Sequence, residues 1–180
     1  TASCNHILNG LSESNYILAT IHRQENTDDK SKLKNIVLAL SFLSQTIPVV
    51  FPMHPRTKAC LAKFGLTSLL VGPLLHIVEP LGYLDMLFAT QSASLIVTDS
   101  GGVQKEAFFF GVPCVTLRDQ TEWVELVDSG WNILVDVLND DITNSIFTMI
   151  GREGQNETNP YGEGNSATIM YRHISDKLGL

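Results

Sequence analysis

Six short apolar runs, each followed by a longer stretch of helical character, limit this chain to very few folds. The runs are Tyr16–Ile21, Pro48–Pro52, Leu75–Val78, Leu95–Thr98, Cys114–Leu117 and Ile133–Val135. A strand that is apolar throughout, rather than at every second residue, must be covered on both faces, which is the condition of a parallel sheet flanked by helices. The intervening segments supply that cover. In the first, Leu33, Ile36, Val37, Leu40 and Leu43 fall on one helical face, with Asp28 or Asp29 placed to cap it. Further helices are expected at about Thr57–Phe64, Tyr83–Gln91, Val103–Phe110, Thr121–Val127, Asp140–Ile150 and Ser166–Lys177. Right-handed crossovers then give an α/β, doubly wound, mostly parallel sheet flanked by helices, with ligands bound beyond the carboxyl ends of its strands.

Composition narrows the ligands. A chain of 180 residues, 44% hydrophobic, has the size and apolar content of one domain. Its formal charge of −7 leaves no broad basic surface for a nucleic-acid backbone, whereas a small phosphorylated ligand needs only a few directed N–H groups and one or two local cations. Cys4, Cys60 and Cys114 form no CxxC pair and are odd in number, which argues against a disulfide framework or a zinc site and fits a reducing cytoplasm. There is no apolar run of membrane-spanning length and no signal-peptide pattern. The first residue is Thr1 rather than Met, as expected of a processed or truncated chain. Thr1–Asn15 is mixed and polar, with room for a short helix. Gly151–Asn165, with four Gly and one Pro, reads as a surface loop.

Four loops after strands carry candidate chemistry. In Leu95–Glu106 a strand runs through Thr-Asp-Ser-Gly-Gly into a helix. Unpaired N–H groups at the helix start, the helix dipole and the small Gly101 and Gly102 suit a diphosphate. Ser100 can donate its hydroxyl, and Glu106, one turn on, can accept from two vicinal ribose hydroxyls. The same residues also read as an Asp/Ser cap before a glycine-tightened turn, with Glu106 in solvent. Neither GxGxxG nor GxxxxGK[ST] is present.

After the first strand, His22 and Arg23 can hold a phosphate, and a protonated imidazole can neutralise a departing phosphate oxygen; the plainer reading is a packed His beside surface charges. After the second strand, His54 and Arg56 can meet an anion, or Phe51–Arg56 is simply a proline-stiffened loop. Arg118 and the polar residues after it are placed to line a sugar pocket, while Trp123 reads as packing.

Taken together and in this order, ATIHRQENTDD, FPMHPRT, PLGYLDML, TDSGGVQKEAFFFGVPCVTLRDQTEWVE, GWN and NPYGEG resemble the non-hydrolysing UDP-N-acetylglucosamine 2-epimerase family, built from two Rossmann-like domains of the GT-B type. The match runs from near Tyr16 to about Ala167 and is similar to the C-terminal domain. On that resemblance, residues 1–15 are the remainder of an interdomain connection, residues 16–180 are the UDP-binding domain, and the N-terminal domain is absent. The resemblance implies that Ser100, Gly101 and Gly102 hold the UDP diphosphate and that Glu106 binds ribose. It places His22 at the diphosphate region and brings backbone near Met86 to the uracil; with the loop chemistry above, His22 is then expected to act as a catalytic group that stabilises the leaving UDP, with Arg23 as helper. His54 corresponds to a second, regulatory nucleotide-sugar site of some bacterial members. The implied partners are UDP and a UDP-N-acetylhexosamine, the missing domain with the acid and base carboxylates, and a second copy in a full-length homodimer; no cofactor or metal is implied.

Three positions depart from the common pattern. Pro-Arg-Thr follows His54 where Asn-Pro-Asn is frequent, Trp123-Val124 stands where many members have Arg-Pro, and Glu163 and Asn165 replace Asp and Lys. The first two are more similar to the branch holding archaeal epimerases and the 2-epimerases of diacetamido-uronic acid nucleotide sugars. The alternatives are therefore a 2-epimerase of such a related UDP-sugar, the UDP-sugar domain of a GT-B glycosyltransferase, or a UDP-sugar-sensing module without turnover. The fragment alone is expected to bind UDP weakly and to be inactive.

Overall fold

The computed structural model describes residues 16–154 and 160–179. The expected connection at Thr1–Asn15 and the centre of the Gly151–Asn165 loop lie outside those residues. Six strands form one sheet: β1 Ile17–Thr20, β2 Val49–Pro52, β3 Leu75–Val78, β4 Leu95–Thr98, β5 Cys114–Thr116 and β6 Asn132–Leu134. All pairs are parallel, in the order β3-β2-β1-β4-β5-β6. The helices are α1 Gln24–Thr27, α2 Lys30–Leu43, α3 Pro55–Phe64, α4 Tyr83–Gln91, α5 Gly101–Phe109, α6 Val124–Asp128, α7 Ile142–Met149 and α8 Ser166–Leu178.

Alternate residues of the central strands serve two cores. Ile17, Ala19, Val49, Phe51, Leu95 and Val97 pack with Leu33, Ile36, Val37 and Leu40 of α2 and with Ile142, Ile146 and Met149 of α7. Leu18, Val50, Ile96 and Cys114 point the other way, toward Ala89 of α4 and Ala107 of α5. This double coverage is why the central strands β1, β2 and β4 are apolar up to their last residues, whereas the edge strand β3 carries His76 and is only partly covered. Burial also pushes the Cys114 thiol up to about 12, so it is an inert core group at neutral pH.

Several boundaries differ from the sequence reading, each for a local reason. α3 begins at Pro55 rather than Thr57, because proline suits the first helical position and the His54 ring nitrogen Nδ1 accepts from Arg56 N–H at 3.1 Å as the cap. The segment read as a stiffened loop is therefore partly a helix start. α5 begins at Gly101 rather than Val103, so the two glycines form its first turn. α6 begins at Val124 rather than Thr121, since Thr121 and Trp123 are tied outward to α5. The short α1 was not foreseen. Of the two candidate caps for α2, Asp29 fills the role, accepting from Ser31 and Lys32 N–H at 2.7 and 3.1 Å.

No residue of α8 is buried, and Ile169, Met170, Ile174 and Leu178 are exposed on it. Among the described residues no helix is long and apolar enough to cross a membrane.

These contacts set a ranking of stability effects. Leu40→Ala, in a core position that is 1% exposed, should cost about 2–5 kcal/mol. Asp29→Ala, which removes only a cap, should cost about 1 kcal/mol. Urea unfolding followed by circular dichroism measures both, and equal costs would contradict the packing described.

Candidate functional site

The strand order reverses between β1 and β4, and a doubly wound sheet opens its ligand crevice at that reversal, outside the carboxyl ends of the two strands. Their last residues face each other across the ladder, with Thr20 and Thr98 hydroxyls 2.6 Å apart. Directly beyond them sits Asp99, fully buried. A carboxylate without water needs donors. It receives them from the loop after β1: His22 N–H at 3.1 Å to both oxygens, Arg23 N–H at 3.0 Å and Asn26 Nδ2 at 3.2 Å. Asn26 also donates to the Leu117 carbonyl at 2.9 Å, and Asp99 N–H returns a bond to the Thr20 carbonyl. One side chain thus joins the ends of β1 and β4, and through Asn26 the end of β5. The short helix α1 is folded over this junction, with Thr27 N–H and its hydroxyl both donating to the Arg23 carbonyl at 2.9 Å.

The clamp orients the predicted cations. His22 Nδ1 lies 3.4 Å from Asp99 Oδ1, which turns Nε2 away from Asp99; the side chain is 39% exposed. His54 stands beside it, ring centroids 5.4 Å apart. With His54 Nδ1 occupied as an acceptor by the α3 cap, its neutral form carries the proton on Nε2. Arg56 is committed elsewhere: its guanidinium contacts both Asp28 oxygens at 2.6 Å and donates to Thr27 Oγ1 at 2.9 Å. Arg23 is held more loosely, 3.9 Å from Glu122.

On the other wall, Ser100 is the N-cap residue of α5 in extended conformation, yet its hydroxyl makes no cap bond. Among the described residues nothing accepts from the N–H groups of Gly101, Gly102 or Val103; the first helical bond is from Gln104 N to the Ser100 carbonyl. Three donors, a free hydroxyl and the positive end of the helix dipole therefore lie together. A Cβ on Gly101 would sit 3.4 Å from Trp123 Nε1, 3.6 Å from Glu122 and 3.7 Å from Arg23, so three polar side chains converge on that residue. Glu106 lies one turn beyond Gly102 on the same helix, half-buried, and burial raises its carboxyl above the ordinary value of 4.5.

Met86 lines a cavity of about 170 Å³ with His22, His54, Leu81, Pro80 and Val103. Its backbone is largely engaged in α4, the N–H with the Gly82 carbonyl at 2.8 Å and the carbonyl with Thr90 Oγ1 at 2.9 Å. It therefore offers the crevice its thioether chain. A second, more polar cavity of about 480 Å³, lined by His22, Arg23, Gln24, Glu25 and Arg56, shares the His22 wall. A groove of about 610 Å³ between α2 and α7 is larger, but its Leu38, Phe42 and Val71 walls lack a convergent cation. Anion chemistry selects the strand ends.

Arg118, read as a sugar-pocket residue, is nearly buried. It grips Glu122 through two nitrogens at 3.0–3.2 Å and lies 3.7 Å from Glu25. Its hydrogen bond is the leading cause that holds the Glu122 carboxyl below the usual range. Arg118 thus sets Glu122 at the rim. Among the described residues no group of three His, Cys, Asp or Glu side chains is arranged to hold a metal ion.

Sequence reasoning passed over Asn26 and Glu122 and gave Asp99 only as a possible helix cap. Asp99 had a usable signal: an acid directly after a fully buried strand has little besides nearby backbone N–H groups to satisfy it. Asp99→Ala should cost about 3 kcal/mol or more, because it leaves three buried or half-buried donors unpaired. Arg56→Met breaks a pair with the 56%-exposed Asp28 and should cost less than about 1 kcal/mol. Chemical unfolding of the two variants measures both, and the reverse order would contradict the clamp.

Comparison with known proteins follows the same line. A protein-family model described as UDP-N-acetylglucosamine 2-epimerase matches residues 1–175. The chain is 46% identical over 165 residues to a UDP-2,3-diacetamido-2,3-dideoxy-D-glucuronate 2-epimerase of Pseudomonas aeruginosa, covering 91% of this chain and 45% of that protein. It is 41% identical over 166 residues to a UDP-N-acetylglucosamine 2-epimerase of Methanocaldococcus jannaschii, again 91% of this chain and 45% of the relative. The crystal structure of the Methanocaldococcus jannaschii UDP-GlcNAc 2-epimerase in complex with UDP-GlcNAc and UDP superposes with a TM-score of 0.82 at 38% identity, over 97% of this chain and 49% of that one. The chain spans about half the length of the relatives it matches. With its sheet order, its strand-end motifs and the family model in agreement over nearly the whole sequence, the chain belongs to the UDP-N-acetylglucosamine 2-epimerase family.

Proposed function

We propose that this chain is the UDP-binding half of a non-hydrolysing UDP-N-acetylglucosamine 2-epimerase, which interconverts UDP-N-acetylglucosamine and UDP-N-acetylmannosamine. The observation that carries the reading is the set of unpaired N–H groups of Gly101, Gly102 and Val103, with the free Ser100 hydroxyl beside them, held against the His22 loop by buried Asp99. In this reading the diphosphate sits on the α5 N-terminus between Ser100–Gly102 and His22, with Arg23 at its flank. The ribose hydroxyls donate to Glu106, and the base lies toward Met86.

The chemistry explains why holding UDP matters. C2 of the sugar has no adjacent carbonyl, so a carbanion there is not stabilised. Removal of the C2 proton with departure of UDP from C1 gives a glycal; protonation from the opposite face and return of UDP to C1 complete the inversion. Charge develops on the leaving β-phosphate oxygen, where N–H donors and the His22 imidazole act most strongly. UDP must stay bound between the two halves of the reaction. The acid and base carboxylates are assigned to the other half of the longer protein, which in the same reading works as a homodimer in the cytoplasm. The free Cys60 and Cys114 thiols fit that compartment.

A second reading, epimerisation of a UDP-diacetamido-uronic acid at C2, is favoured by the 46% identity to the Pseudomonas aeruginosa relative named for that substrate. It uses the same UDP site and the same elimination.

Calorimetric titration with UDP tests the shared part. At pH 8 Glu106→Gln should weaken UDP about tenfold or more, by loss of a charged acceptor. Burial raises the Glu106 carboxyl, so its accepting carboxylate form is lost as the pH falls, beginning at a higher pH than for a carboxyl of the ordinary value 4.5. The ratio of parent to variant affinity, in which UDP's own titration cancels, should therefore shrink toward one on acidification. A parent that does not bind UDP, or a variant equal to it at pH 8, would contradict the site.

A further inference from the structure

We infer that Trp123 is a positioning residue for the diphosphate turn: its indole N–H fixes the Gly101–Gly102 peptide plane, and Lys105 locks the ring that carries it. The inference rests on the UDP-binding reading above and adds to it a residue that touches neither phosphate nor sugar.

Trp123 Nε1 donates to the Gly101 carbonyl at 2.9 Å. That carbonyl and the Gly102 N–H belong to one rigid peptide unit, so fixing one fixes the direction of the other. Gly102 N–H is among the donors left open at the start of α5. The ladder of α5 also uses the Gly101 carbonyl, and the indole N–H adds a second tie at a turn where two successive glycines leave the backbone more freedom than any other pair. A tryptophan that only filled space would present its carbon face to the turn; this one presents its polar edge.

The ring is itself held. Lys105 Nζ lies 3.4 Å from the centroid of the Trp123 ring system and 4.4 Å from that of Tyr161, joining the two aromatic residues through one ammonium. Tyr161 meets the Trp123 ring edge-on at 6.4 Å and 84°. The Trp123 backbone is fixed to the same helix: its N–H donates to Thr121 Oγ1 at 3.2 Å, and Thr121 donates to Gln104 Oε1 at 2.7 Å. Side chain and main chain of the β5–α6 loop are thus both anchored on the first turns of α5. The loop cannot shift without moving the turn.

Trp123→Phe keeps a ring for Lys105 and Tyr161 and removes only the donor. Titrated with UDP and with uridine, it should lose about tenfold in UDP affinity, the effect of one hydrogen bond, while uridine affinity stays within about twofold of the parent. That split separates a role at the phosphates from a general loss of structure. Unchanged UDP affinity, or equal losses for UDP and uridine, would overturn the inference. A parent that binds no UDP would overturn the underlying reading and the inference with it, whereas a parent that binds beside an unaffected variant overturns the inference alone. Should Trp123→Phe not fold, Lys105→Met supplies the second arm in the ligand-free chain. The Gly102 N–H order parameter from nitrogen relaxation should fall from about 0.85 toward about 0.6 once the ring is unlocked; an unchanged value overturns the role of Lys105.

Discussion

The arrangement depends on one buried carboxylate. Asp99 leaves β4 at the reversal of strand order and is met there by two backbone N–H groups and one side-chain amide from the loop after β1. The sheet brings the two strand ends within reach, but parallel strands do not fix the loops that follow them. Asp99 does. It forces the chain after Ile21 to fold back over the strand ends, sets the ring of His22, and places the α5 N-terminus opposite it. Because the carboxylate is sealed from water, its donors cannot be exchanged for solvent, and the loop geometry is correspondingly rigid.

The same economy governs the charges. The chain is acidic overall, and two of the cations near the crevice are matched by acids: Arg56 by Asp28, and Arg118 by Glu122 and Glu25. Arg23 is only distantly paired. What the crevice offers an anion is therefore chiefly oriented N–H groups, a hydroxyl and an imidazole, not a broad positive field. In the proposed reading, such a set of donors suits a compact diphosphate better than a polyanion.

Much of this was legible in the sequence. Continuous apolar strands and the periodic face of Lys30–Leu43 determine the sheet and its cover, and the residues bordering the crevice lie in the loops where the sequence placed them. What was not legible depends on partners far apart in the chain. Arg118 looks like a ligand group until Glu122 and Glu25 are seen beside it, and the backbone of Met86 looks available until α4 forms around it. His54 caps a helix because Pro55 starts one, a local cue outweighed in the reading by the loop-like spelling of His-Pro-Arg. Asp99 and Asn26 are joined across 73 residues, a separation at which residue spacing carries no information.

The central claim is that the clamped loop after β1 and the α5 turn form one site for the diphosphate of UDP. Two-dimensional amide spectra recorded during a UDP titration test it most directly. The account predicts that His22, Arg23, Gly101 and Gly102 shift together and saturate at one ligand concentration. Shifts confined to the groove of Leu38, Phe42 and Val71, or movement of the turn without the His22 loop, would contradict it.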